Sequence, residues 1–332
     1  TITNNARFAN AGTITIGLTG SGNGLIIADG GSVLGSQVVI GEGAAASNNF
    51  ALVTGAGSLW TNVQTGSRIY QVGGSGSANS LTIAQGGKAF FHGIPTTVGL
   101  ALGANSNAFV VTDNNSLFLT DGALTIGQGG AFNSLIVSNG AKLVTSGTTI
   151  GNFRGTDSNS AWVTGSGTVW SNQGALAIGD STNAFNTVSI LAGAAYYGGA
   201  LTIGNLGAAS NALYLGSSGA QIIASNGLIT AGQFGGGSSR IEATNANILS
   251  SGLFIGNGAS NNTVVVSSGV TWNMLNGQLS FGAGTGNVLT IAGNSTVTNV
   301  GGVGLLGSGL TYTLTNNILM SADVNVMTTR VF

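Results

Sequence analysis

Few residues in this chain could carry out chemistry. The acids are Asp29, Glu42, Asp113, Asp121, Asp157, Asp180, Glu242 and Asp323, and His92 is the one histidine. Two carboxyls held ~5–10 Å apart could hydrolyse a glycosidic bond. Acids clustered on Ca2+, with Arg or Lys as base, could run a polysaccharide elimination. The acids are scattered, and Arg154 and Asp157 form an isolated pair. One His has no second member for a triad or a metal site. Gly-Gly-Ser-Gly at 73–76 lacks the Asp of a Ca2+-binding nonapeptide. Asn114, Asn261 and Asn294 begin glycosylation sequons, a weak signal in a chain rich in Asn, Ser and Thr. We expect no catalytic, cofactor or metal residue, and no enzyme.

Composition narrows what could position any side chain. The 332 residues include 59 Gly, 1 Pro, no Cys, 7 Lys+Arg and 8 Asp+Glu, with a net charge of −1. A charged fraction of 5% beside 42% apolar residues excludes ordinary disorder, which needs charge and few apolar groups. So few cations cannot track a phosphate backbone, so nucleic acid is not an expected partner. No apolar run reaches the ~18–20 residues of a spanning helix, and membrane insertion is not expected. The chain opens Thr-Ile-Thr without a charged-then-apolar leader, which reads as a mature or trimmed product. Gly supplies positive-φ positions, so this much Gly among apolar residues points to an all-β chain with many turns.

The pattern repeats. From Asn107 the chain reads NAFVVTDNNSLFLTDGALTIG, and from Asn133 it reads NSLIVSNGAKLVTSGTTIG. Each copy runs Asn, first strand, turn, second strand, turn, third strand, and an apolar residue plus Gly. The leading position recurs at Asn23, Asn49, Asn79, Asn107, Asn133, Asn159, Asn186, Asn211, Ser239, Asn262 and Asn287, at spacings of 23 to 30. The closing pair recurs at Gly17, Gly41, Gly73, Gly103, Gly127, Gly151, Gly179, Gly204, Gly256, Gly282 and Gly307, with Leu228-Ile229 in the one irregular copy and its Gly displaced to 232. This predicts one continuous parallel β-solenoid (β-helix) over 1–307, of about 12 coils with about 25 residues and three short strands each. Stacked at ~4.8 Å, the coils would make a rod of roughly 58 Å. Right-handed winding is the prior. Residues 308–332 would be a divergent last coil, a cap or a docking segment. No two acids fall in one column of adjacent coils.

Two columns stand out. Stacked Asn side chains could form a buried amide ladder, or each Asn could serve only to tolerate left-handed φ in a turn. Counting seven residues from the end of the first strand gives Trp60, Phe90, Phe118 and Trp170, with Tyr197 in the next coil. The residues two positions earlier are polar. By strand alternation the aromatic column faces out, unless a corner intervenes and buries it. The turns at 61–76 and 92–99 read as long loops, where specificity would sit.

VTGAGSLWTN at 53–62 and VTGSGTVWSN at 163–172 are nearly identical, and VSSGVTWN at 266–273 is a degraded third copy. With the closing L-x-I-G, these phrases resemble the β-strand repeats of bacterial autotransporter passengers and of surface proteins with sorting tails. The resemblance implies export, an extracellular or cell-surface setting and a repeat-built scaffold. It carries over no catalytic residue. Neither a membrane barrel nor a basic sorting tail is found in the sequence.

A solenoid exposes strand edges at its ends. Neither end of this chain carries a charged cap, and low charge favours association. We therefore expect a structural protein that joins copies of itself head to tail into a fibre or layer. The alternative is a surface adhesin using its aromatic stripe or long turns on glycans or host surfaces. A polysaccharide-active enzyme ranks third.

Overall fold

The computed structural model describes residues 1–10, 12–62 and 69–306, and the backbone of Thr311–Leu314 and Val326–Thr328. It is an all-β parallel solenoid of about 11 turns, each of about 26 residues. No helix occurs among the described residues. First strands stack into a 12-stranded sheet, and second and third strands into a 23-stranded one. One coil shows the plan: first strand Ala108–Thr112, second strand Leu117–Thr120, third strand Leu124–Ile126. Its first strand pairs in parallel with Ser80–Ala84 below and Ser134–Ser138 above, so each coil templates the next.

The strands alternate. In the first strand Phe109 and Val111 point inward and are fully buried, while Ala108, Val110 and Thr112 lie at the surface. Repeated round three strands and up the stack, this makes one apolar core from Ile16 to Val300. No single coil could bury its inner face alone, so stability belongs to the stack.

Three details depart from expectation. The fourth closing Gly is Gly99 after Val98, not Gly103: Val98 pairs with Val72 and Ile126, while Leu102 stands out in the turn. In the irregular coil Ala231-Gly232 closes the strand, since Ala231 pairs with Ile203 and Ile255. The stretches 61–76 and 92–99 are not whole loops, because each contains a third strand, Tyr70–Val72 and Thr96–Val98. Residues 63–68 of the first lie outside the described residues. So do Gly307 and most of 308–332, Asp323 included. Within that segment, Thr311–Leu314 stacks on Val288–Ile291 and Val326–Thr328 on Val303–Leu305, as a further coil would.

Candidate functional site

The Asn column is a hydrogen-bonded ladder. Asn107 donates from its backbone N–H and its Nδ2 to Oδ1 of Asn133, at 2.9 and 3.0 Å. Asn133 donates likewise to Asn159, at 2.8 and 3.1 Å. The same two-donor contact joins Asn23 to Asn49, Asn49 to Asn79, Asn79 to Asn107, Asn159 to Asn186, Asn186 to Asn211 and Asn262 to Asn287. From Asn49 onward these side chains are fully buried. Left-handed φ belongs instead to the residue before each Asn, such as Asn48, Ala78, Ser106, Phe132 and Ser158. The ladder and the tolerant turn are therefore neighbouring positions.

The ladder and the closing Gly are one device. Gly127 has φ +75°, and a Cβ there would land under 3.0 Å from the amide of Asn159, the second ladder Asn after it. Gly41 stands so against Asn79, Gly73 against Asn107, Gly99 against Asn133 and Gly151 against Asn186. The amide lies flat on the bare Cα, which only Gly provides. The two sequence anchors recur together because each occupies the other's space.

The aromatic column turns inward. Trp60, Phe118 and Trp170 are fully buried, while Phe90 is half-buried and Tyr197 is 39% exposed. The cause is the length of the first turn. Ala89 pairs with both Trp60 and Phe118, so the inward position is the seventh from Val53 and Val111 but the sixth from Ile83. Leu143 pairs with Trp170 and Phe118, and Tyr196 with Trp170, on the same rule. One extra turn residue reverses which strand positions face the core. Long and short turns alternate through these coils, so a fixed count mixes two faces. In the long turns Ser58, Ser116 and Thr168 are buried and accept the N–H of Gly30, Gly86 and Gly140 from the preceding short turn.

Inside, the rings form edge-to-face and stacked contacts: Trp60 with Phe91, Phe91 with Tyr70 at 4.0 Å, Phe118 with Phe109, and Trp170 with Tyr196. Trp170 Nε1 donates to Thr145 Oγ1, Thr145 to Asn172 Oδ1, and Asn172 Nδ2 to Tyr196 Oη. Burial pushes the Tyr70 and Tyr196 phenols well above their ordinary range. These groups are locked in a packed interior and reach no substrate.

The acids stay apart. Asp113 sits in a first turn and accepts the Gln85 N–H, while Asp121 sits in a second turn. Asp121 accepts the N–H of Gly93 and lies 3.3 Å from His92 Nδ1. The Gly93 N–H, then His92, hold its carboxyl below the usual range. Beside this pair the Asn62 side-chain amide accepts the His92 N–H at 2.8 Å and donates to the His92 carbonyl at 2.9 Å. Among the described residues, no three His, Asp or Glu side chains gather as metal ligands would.

One surface feature escaped sequence reading. In six consecutive third turns a single large apolar side chain stands in solvent: Leu102, Phe132, Phe153, Phe185, Leu206 and Phe234, each between 53% and 88% exposed. Phe132 and Phe185 precede the ladder Asn, Phe153, Leu206 and Phe234 lie two past the closing Gly, and Leu102 lies three past it, so one column count misses the set. The available signal was one bulky apolar residue in each Gly-rich turn. Phe132, Phe185, Leu206 and Phe234 hold φ between 47° and 59°, an uncommon conformation for bulky residues.

No family model, no curated protein and no solved structure matches this chain.

Proposed function

We propose that the chain is a non-enzymatic structural rod of the exported, cell-surface or extracellular kind, whose copies stack end to end. The observation that carries this reading is the coil-on-coil templating: each strand pairs in parallel with its counterpart one coil on, so a bare coil face is complementary to a coil of a second copy. Arg7–Ala9, Thr13–Ile16 and Gly24–Ile27 each pair with a strand of the following coil, and the described residues supply no continuous strand on their other side. Between them the core opens into a cavity of about 350 Å³ lined by Ile2, Phe8, Ile14 and Leu25. Asn23 begins the ladder, and its Oδ1 accepts nothing from the described residues. Each rung donates forward along the chain, so a coil added here must come with its late end first. Such a contact joins unlike faces and builds open filaments. The near absence of charge removes the repulsion that keeps strand edges apart. The export setting leans on the passenger-like phrases and the lack of Cys.

The adhesin alternative has less to stand on, since the stripe that would stack on sugars is largely interior. Electron microscopy of the purified chain tests the stacking reading. Filaments with a subunit repeat near the rod length, lost on Phe8→Glu, are expected. Monodisperse short rods that ignore concentration would sink it.

A further inference from the structure

The six-turn apolar ridge has no part in end stacking, because it runs along the side of the rod. We propose that it is a lateral interface between two copies of this chain, paired ridge to ridge in antiparallel orientation. Coil spacing places the six side chains along roughly 24 Å, one per ~4.8 Å. Buried rings contribute about 150–250 Å² each, so six side chains more than half exposed offer about 600–800 Å² per copy. That meets the ~800 Å² per partner of a standard specific interface. The ridge is also larger than the few hundred Å² of apolar patch a monomer ordinarily exposes.

Charge fixes the orientation. The six turns span 99–106, 127–132, 151–158, 179–185, 204–210 and 232–238, and their charged residues are Arg154, Asp157 and Asp180. All three lie in the two central turns. Arg154 is exposed and makes no ion pair among the described residues. Asp157 accepts the Ala184 N–H, and Asp180 accepts from Asn205. A two-fold axis between the central turns sets Arg154 of each copy against Asp180 of the other. Parallel pairing sets Arg154 against Arg154. The bulky residues sit early in some turns and late in others, so the ridge zigzags and two ridges can interdigitate. Four of the six also hold left-handed φ, and Asn48, Ser106, Ser158, Ser210, Ser238 and Asn261 fill the place of Phe132 and Phe185 in other coils. These bulky groups are therefore present against the preference of the backbone.

The test is analytical ultracentrifugation of the whole chain on the Phe8→Glu background, which keeps end stacking out of the readout. A dimer at micromolar concentration is expected. Phe153→Ser with Phe185→Asn should raise its dissociation constant at least about 100-fold with an unchanged circular dichroism spectrum. Arg154→Glu should weaken the dimer, and Arg154→Glu with Asp180→Arg should restore it. A spin label at Gln233→Cys should lie at least about 24 Å from its mate, five coils apart by coil spacing. A monomer at every concentration, a dimer indifferent to the Phe variants, a swap that rescues nothing or adjacent labels would overturn the proposal. So would a monomer that binds neutral lipid vesicles through the same phenylalanines, which would assign the ridge to a membrane surface.

Discussion

Asn211 Nδ2 and Ser239 Oγ flank the one break in the ladder among the described residues, both buried and neither hydrogen-bonded there. The rung below is intact, Asn186 donating to Asn211 at 2.9 and 3.1 Å. The rung above resumes through the Ser239 N–H to Asn262 Oδ1 at 3.0 Å. Serine is too short to carry an amide across one coil. Ser239→Asn should restore two donors and an acceptor, raising stability by about 1–2 kcal/mol, the usual cost of a buried group without a partner. Thermal and urea unfolding would check this. A variant no more stable than the parent would show that the break costs nothing.

Glycine in the third turns serves two requirements that separate cleanly. Gly103 has φ +84° with nothing near a new Cβ, while Gly127 has φ +75° and the Asn159 amide against it. Gly103→Ala should cost about 1–2 kcal/mol from left-handed φ alone. Gly127→Ala should cost that and several kcal/mol more, because it forces a buried rung aside. Equal losses of melting temperature in the two variants would refute the lock between Gly and Asn.

The tryptophans divide by partner. Trp170 Nε1 is bonded to Thr145, and Trp272 Nε1 to Ser250 at 2.9 Å, while Trp60 Nε1 is buried without a partner among the described residues. Trp170→Phe should lose about 1 kcal/mol with its hydrogen bond to Thr145, which keeps its bond to Asn172, and Trp60→Phe should lose less, since it discards an unmatched donor. Trp162 stands outside at 47% exposure, so acrylamide should quench its fluorescence and spare the other three. Uniform quenching would place the buried column wrongly.

Asp121 gives a pH dependence of known sign. Its folded carboxyl titrates below the ordinary 3.8, chiefly through the Gly93 N–H. Its contribution is therefore complete above that ordinary value and fades as pH falls through the lower folded one. The pair is exposed, so the effect is under about 1 kcal/mol. The gap in melting temperature between the parent and Asp121→Asn should be present at neutral pH and close in strong acid. A gap that widens in acid would reverse the assignment.

The fold was legible because the repeat states it twice, in the Asn column and in the closing Gly. Both mark a position where one residue type fits one space, so their recurrence survives changes of turn length. The aromatic column was not legible by counting, because strand phase depends on turn length. VTGAGSLW and IAQGGKAF differ by one turn residue, and that residue moves the inward place from Phe90 to Ala89. Comparing the turns before the strands would have recovered the phase. Leu102-Gly103 resembled a closing pair in type but lies four residues past the real one, where only pairing partners tell them apart. The exposed ridge was hidden because its members divide between two places in the third turn, one just before the ladder Asn and one two or three residues past the closing Gly.

The alternation of long and short first turns from Ile27 to Ile222 makes the heritable module of that part of the rod a pair of coils. Excising one coil would bring two turns of like length together and leave a Gly30, Gly86 or Gly140 N–H without its hydroxyl. Excising two would restore the join. Length variants should thus be viable in steps of about 9.6 Å, twice the coil spacing. Removing residues 107–158 should shorten the rod and keep its cooperative melt, whereas removing 107–132 should leave a weak seam that proteases find.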